Sequence, residues 1–184
     1  MSTVQKPQSK IKTLIFIALC AAIMCILGPI SFPLPFSPVP ISLGVLAVLI
    51  AAYILGPFKG LAACAVYILI GMTGFPVFSG FKGGFGVLAG PTGGYIIGYF
   101  FVVLFSGLFI RKFESKRLLH LTGIIIGLLL CYLIGTLWLA KFASLGFLPA
   151  LMAGVIPYLP ADAVKVIIVQ LIGPKLRNAV KNLN

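Results

Sequence analysis

Asp162 and Lys165 stand three residues apart in the segment YLPADAVK, residues 158–165, beside a long apolar run. Aspartate offers hydrogen-bond acceptors and lysine offers donors, and a spacing of three places both on one face of a helix. Such a pair suits a small ligand whose head carries both N–H and C=O groups. The alternative is a structural ion pair that fixes helix packing, because ionisable groups within a membrane span face a bundle interior or an aqueous cavity.

The composition is that of a membrane protein. The chain has 184 residues, of which 61% are hydrophobic and only 9% are charged, against ~25% charged residues in soluble domains. Its mean hydropathy is +1.20. Because one span takes ~20 residues, the length allows about six spans with short loops. We therefore predict an all-α integral membrane protein with one domain, residues 1–184.

Four Gly-Pro pairs, which interrupt helices, mark the ends of the apolar runs. The runs between them predict spans over residues 11–28, 41–56, 60–73, 92–110, 118–141 and 160–180. The short apolar stretch 148–156 is either a separate outer segment or the start of the last span.

The basic residues are distributed unevenly over this layout. With six spans and a cytoplasmic N-terminus, eleven of the fourteen Lys and Arg residues lie in inner segments, and only Lys82 and Lys141 lie in outer loops. This bias predicts that both termini are cytoplasmic. It also explains the net charge of +12 without nucleic acid as a partner.

The first outer loop, GPISFPLPFSPVP, contains five of the thirteen prolines. A run of this kind is extended and stiff. We interpret it either as a rigid connector or as a lid over a pocket, with Phe32, Leu34 and Phe36 as the apolar underside of the lid.

The second outer loop, residues 71–98, contains ten of the twenty-one glycines, interleaved with aromatic residues. Glycine lets a backbone approach a ligand closely and offer it N–H groups. The loop therefore predicts an apolar pocket wall with backbone donors. Glycines for helix packing together with a flexible loop are the alternative. The spacing fits no nucleotide-binding motif.

Asp162 belongs to the same side of the membrane as these two loops. It precedes Lys175, the first basic residue of the inner boundary, by thirteen residues, which correspond to ~20 Å of helix in a hydrocarbon core of ~30 Å. Asp162 thus lies in the outer half of the membrane. Pro160 suits the first turn of a helix, where the helix dipole favours the charge of Asp162.

The chain offers no evident catalytic machinery. Its single histidine, His120, lies at the inner boundary of the fifth span, and no nucleophile–base set, ATP-binding motif or metal-binding motif is present. The four cysteines lie inside apolar runs and are interpreted as small buried residues. We expect no catalytic residues, no metal and no cofactor.

The segment GFPVFSGFKGGFGVLAGPTGGYIIGY, residues 74–99, together with YLPADAVK, resembles the BioY family, the biotin-specific S components of energy-coupling-factor (ECF) vitamin transporters. The resemblance covers nearly the whole chain. It implies a six-helix protein of the prokaryotic plasma membrane that captures biotin from outside, beneath a lid made by the first outer loop. It also implies docking on a transmembrane coupling subunit that works with two ATPase subunits.

The resemblance assigns roles to individual residues. It implies that Asp162 accepts a hydrogen bond from a ureido N–H of biotin, while Lys165 donates either to the ureido carbonyl or to the tail carboxylate. Further polar candidates are Ser79, Thr92 and backbone N–H groups of the glycine loop, including that of Gly93. The candidates for apolar walls are Phe75, Phe78, Tyr95 and Tyr158. Lys82 is either a partner of the tail carboxylate or an exposed loop lysine.

The resemblance also implies a partner surface on the first helix. S components contact the coupling subunit through an Ala-x-x-x-Ala motif, which matches Ala18 and Ala22 in this sequence. Small residues four apart allow close helix approach, and an ordinary packing face is the alternative.

Three other functions remain open at this point. A stand-alone or proton-coupled carrier would use Asp162 as a proton site, and a membrane enzyme would need groups that the sequence does not offer. The same scaffold with another vitamin as substrate is the third.

Overall fold

The structure, a computed structural model, describes residues 7–35, 37–114 and 116–182. This part of the chain is mainly helical, with one small antiparallel sheet. The elements in chain order are α1 (Pro7–Leu27), β1 (Ser31–Leu34), β2 (Ser37–Ser42), α2 (Gly44–Met72), α3 (Phe85–Ala89), α4 (Gly93–Lys112), α5 (Arg117–Phe142), α6 (Phe147–Gly154), a 3-10 turn (Ile156–Tyr158) and α7 (Leu159–Asn182).

α2 consists of two arms that fold back on each other at Gly56. This glycine has φ 72° and ψ −167°, outside the helical region, and Pro57 follows it. A Cβ on Gly60 would lie 3.7 Å from the carbonyl oxygen of Ala51, whereas nine residues of straight helix would separate them by ~13 Å. Residues 44–55 and 57–72 are therefore successive, antiparallel helices.

The membrane fold follows from these helices. Within the described residues, α1, α2, α4, α5 and the segment 147–180 are long and apolar enough to cross a membrane. Because α2 is folded at Gly56, it supplies two of the membrane helices. The predicted all-α membrane fold with six transmembrane helices is confirmed.

α4 lies between α5 and the first arm of α2 and packs closely against both. A Cβ on Gly98 would come within 2.9 Å of the Cα of Cys131, and one on Gly127 within 2.8 Å of the Cα of Val102. Glycine at these positions lets the backbones of α4 and α5 approach each other directly. Part of the glycine content therefore serves helix packing.

One end of the bundle, here called the basic end, joins the start of α1, the fold in α2 and the ends of α4 and α7. Lys59 Nζ donates to Thr13 Oγ1 at 3.2 Å, and Arg177 Nη1 donates to the carbonyl oxygen of Ile110 at 2.8 Å. Other basic side chains of this end are those of Arg111 and Arg117.

The opposite end, here called the loop end, contains the β1–β2 hairpin, the glycine loop with α3, and α6. Ser37 Oγ donates to the carbonyl oxygen of Ala153 at 2.8 Å, which joins the hairpin to α6. Gly80 N donates to the carbonyl oxygen of Pro29 at 3.0 Å, which joins the glycine loop to the end of α1. The two loops therefore form one cap.

Two stretches differ in detail from the predicted spans. Residues 41 and 42 belong to β2, where Ser42 pairs with Ser31, so α2 begins only at Gly44. Residues 57–59 are helical, so no loop separates the two arms of α2 beyond Gly56 itself. The apolar stretch 148–156 lies in α6 and the 3-10 turn, separate from α7, which is the first of the two predicted possibilities.

Candidate functional site

The ion pair of Asp162 and Lys165 lies in the first two turns of α7. Lys165 Nζ is 2.7 Å from Asp162 Oδ1, and both side chains are only 7% exposed. Pro160 occupies the second position of the helix, where its missing N–H costs no hydrogen bond. Two opposite charges are thus held together out of contact with solvent.

Tyr132 of α5 completes the coordination of the carboxylate. Its hydroxyl donates to Asp162 Oδ2 at 2.6 Å, so each carboxylate oxygen has a different partner. Charge-assisted bonds of this kind are short and strong. Sequence reasoning missed Tyr132, because nothing in the sequence sets it apart from Thr122 and Thr136, the other hydroxyl side chains of α5.

A cavity at the loop end is bounded by this triad. Its other walls come from β2, α4, the glycine loop and the residues around the 3-10 turn. The lining residues are Val39, Pro40, Ser42, Val45, Ser79, Thr92, Tyr95, Ile96, Tyr99, Cys131, Tyr132, Gly154, Tyr158, Asp162 and Lys165. Apolar walls with a few convergent polar groups are typical of small-molecule sites.

Most of the predicted polar residues meet at this cavity. Ser79, Thr92, Tyr95 and Tyr158 line it together with the Asp162–Lys165 pair. The sequence had no means of identifying Ser42, Tyr99 or Cys131, which also line it.

Three predicted residues lie elsewhere. Phe75 is 64% exposed, and Phe78 is fully buried beneath the cap, where its ring packs edge-on against Tyr67 and directly over Gly71. Gly93 is buried against the carbonyl oxygen of Leu88, where a Cβ would not fit. None of the three is among the lining residues of the cavity.

The glycine loop uses several of its N–H groups internally. Gly80 N donates to Pro29, Gly84 N to the carbonyl oxygen of Gly71 at 2.7 Å, and Gly93 N to that of Gly90 at 3.2 Å. These amides hold the fold of the loop. That other N–H groups of the loop face a ligand stays a prediction, while the predicted residues Ser79 and Thr92 line the cavity.

The proline-rich loop is a hairpin over the cavity. Its strand β2 supplies lining residues, whereas the side chain of Phe32 is 66% exposed and Leu34 packs against the small cluster around Tyr158. Phe36 lies outside the described residues. The underside of this hairpin is therefore formed by Val39 and Pro40 and not by Phe32.

Tyr158 ties the hairpin to the body of the protein. Its hydroxyl is 2.6 Å from Ser37 Oγ and also contacts the carbonyl oxygen of Val39. Because Tyr158 lies at the end of the 3-10 turn directly before α7, the hairpin is anchored next to the ion pair.

A second cavity continues from the first. It shares Pro40, Ser79 and Thr92 with the first cavity, and the exposed Lys82 of the glycine loop also lines it. The two cavities therefore adjoin each other at these shared residues.

Ala18 and Ala22 lie on a face of α1 that the bundle leaves uncovered. Both are exposed, while Cys20, Ala21 and Met24 face the interior. Within residues 7–35, 37–114 and 116–182, the Ala-x-x-x-Ala face is left open and not covered by other helices.

Comparison with known proteins identifies the family. The family model described as "BioY family" matches residues 2–182. A "Probable biotin transporter BioY" of Pyrococcus horikoshii is 38% identical over 168 residues, which are 91% of this chain and 98% of that protein. The "Biotin transporter BioY2" of Lactococcus lactis is 34% identical over 176 residues, 96% of each chain.

A solved structure is similar over the same length. It is a crystal structure of "the S-component for biotin from an ECF-type ABC transporter", with a TM-score of 0.87, 28% sequence identity and 95% coverage of both chains. The sequence relatives and the fold agree, and the chain belongs to the BioY family.

Proposed function

We propose that this chain captures biotin in the cavity at the loop end and acts as the substrate-binding S component of an ECF-type importer. The observation that carries the proposal is the buried pair of Asp162 and Lys165, which presents an acceptor and a donor at the base of an apolar cavity in a BioY-family chain.

The ureido ring of biotin fits this pair chemically. The ring has two N–H donors and one carbonyl, and a carboxylate has more acceptor sites than the two that Lys165 and Tyr132 occupy. Lys165 carries three N–H groups, of which one reaches Asp162. Asp162 accepts from a ureido N–H, and Lys165 donates to the ureido carbonyl. The apolar sulfur ring and tail lie against Tyr95, Ile96 and Tyr158.

The valeryl tail extends into the second cavity. With the ureido ring at the ion pair, the tail passes Ser79 and Thr92 and its carboxylate reaches Lys82. With this placement, the partner of Lys165 is the ureido carbonyl and that of Lys82 is the tail carboxylate.

The basic end faces the cytoplasm. Lys59, Arg111, Arg117 and Arg177 gather there, and basic residues favour the inner side of a membrane. The cavity at the loop end then opens to the outside, from which biotin is collected.

The exposed face of α1 around Ala18 and Ala22 docks on a transmembrane coupling subunit, and two ATPase subunits supply the energy. Small exposed residues let a partner helix approach closely. The chain itself performs no reaction on biotin.

Isothermal titration calorimetry on the purified chain tests the substrate. We expect saturable heat with biotin at one site per chain and none with thiamine or riboflavin. No heat with biotin, or equal binding of thiamine, would overturn the assignment.

A transport measurement tests the role as a subunit against that of a stand-alone carrier. We expect radiolabelled biotin to accumulate in proteoliposomes only when coupling and ATPase subunits are reconstituted with this chain and ATP. Accumulation with the chain alone would establish a carrier and leave the binding site unaffected.

Lys82→Ala tests the placement of the tail. We expect the variant to bind biotin about fivefold more weakly, the effect of losing one exposed charge pair of ~1 kcal/mol. Biotinamide, which has no carboxylate, should bind the variant and the wild type equally. An equal loss for both ligands would contradict the contact.

A further inference from the structure

The basic end has far more positive than negative side chains. The sequence contains fourteen Lys and Arg residues and two acidic residues. One carboxylate, Asp162, is paired with Lys165 at the loop end, and the other, Glu114, is paired with Arg177. Basic side chains, among them Lys59, Arg111 and Lys112, therefore outnumber acidic ones at this end.

A basic cleft lies where α2 folds at Gly56. It is bounded by the residues around this fold, by the end of α4 and by α7, and its charged groups are Lys59, Arg111, Arg177 and Glu114. Because Arg177 and Glu114 form an ion pair at 2.7 Å, the charge that remains is that of Lys59 and Arg111. The cleft therefore has a net positive charge.

An apolar groove adjoins the cleft on the outer surface of the bundle. It shares Pro57, Phe58 and Arg111 with the cleft and continues along α4 past Leu108 and Phe109. The Phe58 side chain is 66% exposed and that of Leu108 is 39% exposed. Arg111 stands at the junction between the charged and the apolar parts.

We infer that cleft and groove together bind one anionic phospholipid, with its phosphate in the cleft near Lys59 and Arg111 and an acyl chain along Phe58 and Leu108. Basic pockets between transmembrane helices bind anionic lipid headgroups in this way. A zwitterionic headgroup would bring its own cation into a cleft that is already positive. A soluble anion would use the cleft and leave the apolar groove empty.

The apolar groove favours a lipid over a protein partner. It lies on the surface of membrane-crossing helices, next to residues that mark the end of the apolar segment, where acyl chains and headgroups meet. This site is separate from the cavity at the loop end, and the inference does not depend on biotin binding.

Native mass spectrometry of the detergent-solubilised chain tests the lipid. Palmitoyl-oleoyl phosphatidylglycerol and palmitoyl-oleoyl phosphatidylcholine are added separately, and the bound fractions are compared. We expect one phosphatidylglycerol per chain to be retained at concentrations where phosphatidylcholine is not. Equal retention of both lipids would overturn the inference.

Arg111→Gln and Lys141→Gln form a matched pair of variants. Each removes one exposed cation, Arg111 at the basic end and Lys141 at the opposite end of the bundle. We expect Arg111→Gln to weaken phosphatidylglycerol binding by about fivefold or more, the usual effect of one basic residue near an anionic membrane. Lys141→Gln should bind it as the wild type does, and an equal loss in both would mean non-specific attraction and refute the site.

Two further measurements distinguish binding of the lipid from binding of other anions. Phe58→Ala should reduce retention of phosphatidylglycerol, and inorganic phosphate at millimolar concentration should not displace the lipid. Displacement by phosphate, or unchanged binding in Phe58→Ala, would reduce the site to a soluble-anion cleft. If an acidic peptide displaces the bound phosphatidylglycerol and vesicles of pure phosphatidylglycerol do not, the site belongs to a protein partner. That result would refute the lipid assignment.

Discussion

Among the described residues, each end of the bundle contains one ion pair, and the two pairs differ in how far they are buried. Both have an N···O distance of 2.7 Å, but the side chains of Asp162 and Lys165 are each 7% exposed, while that of Glu114 is 55% exposed. Burying two charges costs several kcal/mol of desolvation, and an exposed pair contributes ~1 kcal/mol or less. The costly pair therefore needs an explanation that the exposed pair does not.

The exposed pair has a structural role, because it and the hydrogen bonds around it join helices. Arg177 also donates to the carbonyl oxygen of Ile110, one of the last carbonyls of α4, which have no partner within that helix. Nearby, the Tyr53 hydroxyl donates to Gln170 at 2.8 Å and His120 Nε2 lies 2.9 Å from the carbonyl oxygen of Phe113. The polar groups of the basic end join helices to one another.

The buried pair also joins two helices, since Tyr132 of α5 donates to Asp162 of α7, but in addition it lines the cavity. Within the described ranges, Lys165 donates only to Asp162, and Asp162 accepts only from Lys165 and Tyr132. All three residues line the cavity. The buried pair thus differs from the exposed pair in lining a cavity, as the proposed role in ligand binding requires.

Asp162→Asn should have the largest effect. It leaves Lys165 buried without a counter-charge and removes the carboxylate from the cavity. We expect biotin to bind at least ~2 kcal/mol more weakly, about 30-fold in Kd. Calorimetry measures the loss, and wild-type affinity in this variant would contradict the proposed site.

Tyr132→Phe should come next. It removes the hydroxyl that donates to Asp162 Oδ2 and leaves the ring in place. Because a hydrogen bond to a charged group contributes ~1.5 kcal/mol at the lower end of its range, we expect biotin affinity to fall about tenfold. Tyr67→Phe is the control, since its hydroxyl is also buried but donates to the carbonyl oxygen of Val77, away from the cavity. A similar loss of affinity in both variants would show a general loss of packing.

Tyr158→Phe should have a smaller effect on affinity, and the effect should come from the dissociation rate. The change frees the hairpin from the 3-10 turn at the cost of one neutral hydrogen bond, ~1 kcal/mol. We expect biotin to dissociate about fivefold faster in stopped-flow measurements, with little change in the association rate. Tyr53→Phe removes a hydroxyl at the basic end and should leave both rates unchanged. An unaltered dissociation rate in Tyr158→Phe would mean that the hairpin does not retain the ligand.

Much of the fold could be predicted because the membrane imposes it. Apolar runs, Gly-Pro pairs and the uneven distribution of basic residues depend on local sequence, and the fold in α2 falls at Gly56-Pro57. The strand β2 was missed because its pairing of Ser42 with Ser31 depends on a partner eleven residues away. A proline-rich run predicts extended backbone, but it does not show which other strand the segment pairs with.

Residues of the candidate site could be predicted from the sequence where their charge is unusual for their position. Asp162 and Lys165 stand out because charges are rare in apolar helices. The locations of Phe75 and Phe78 could not be predicted, since an aromatic ring in a glycine loop can face solvent, the core or a cavity. Tyr132 lies in a helix that is apolar on every side, so its rotation toward Asp162 emerges only from the packing of α5 against α7.

Glu114→Gln should have the smallest effect and completes the comparison. It neutralises one partner of an ion pair, as Asp162→Asn does, but the carboxylate is largely in water and Arg177 keeps its bond to Ile110. We expect the free energy of unfolding to fall by ~0.5 kcal/mol or less, with unchanged biotin affinity. Thermal unfolding in detergent and calorimetry measure the two quantities. A loss of biotin affinity like that of Asp162→Asn would mean that the ends of the bundle are coupled and that burial does not distinguish the two pairs.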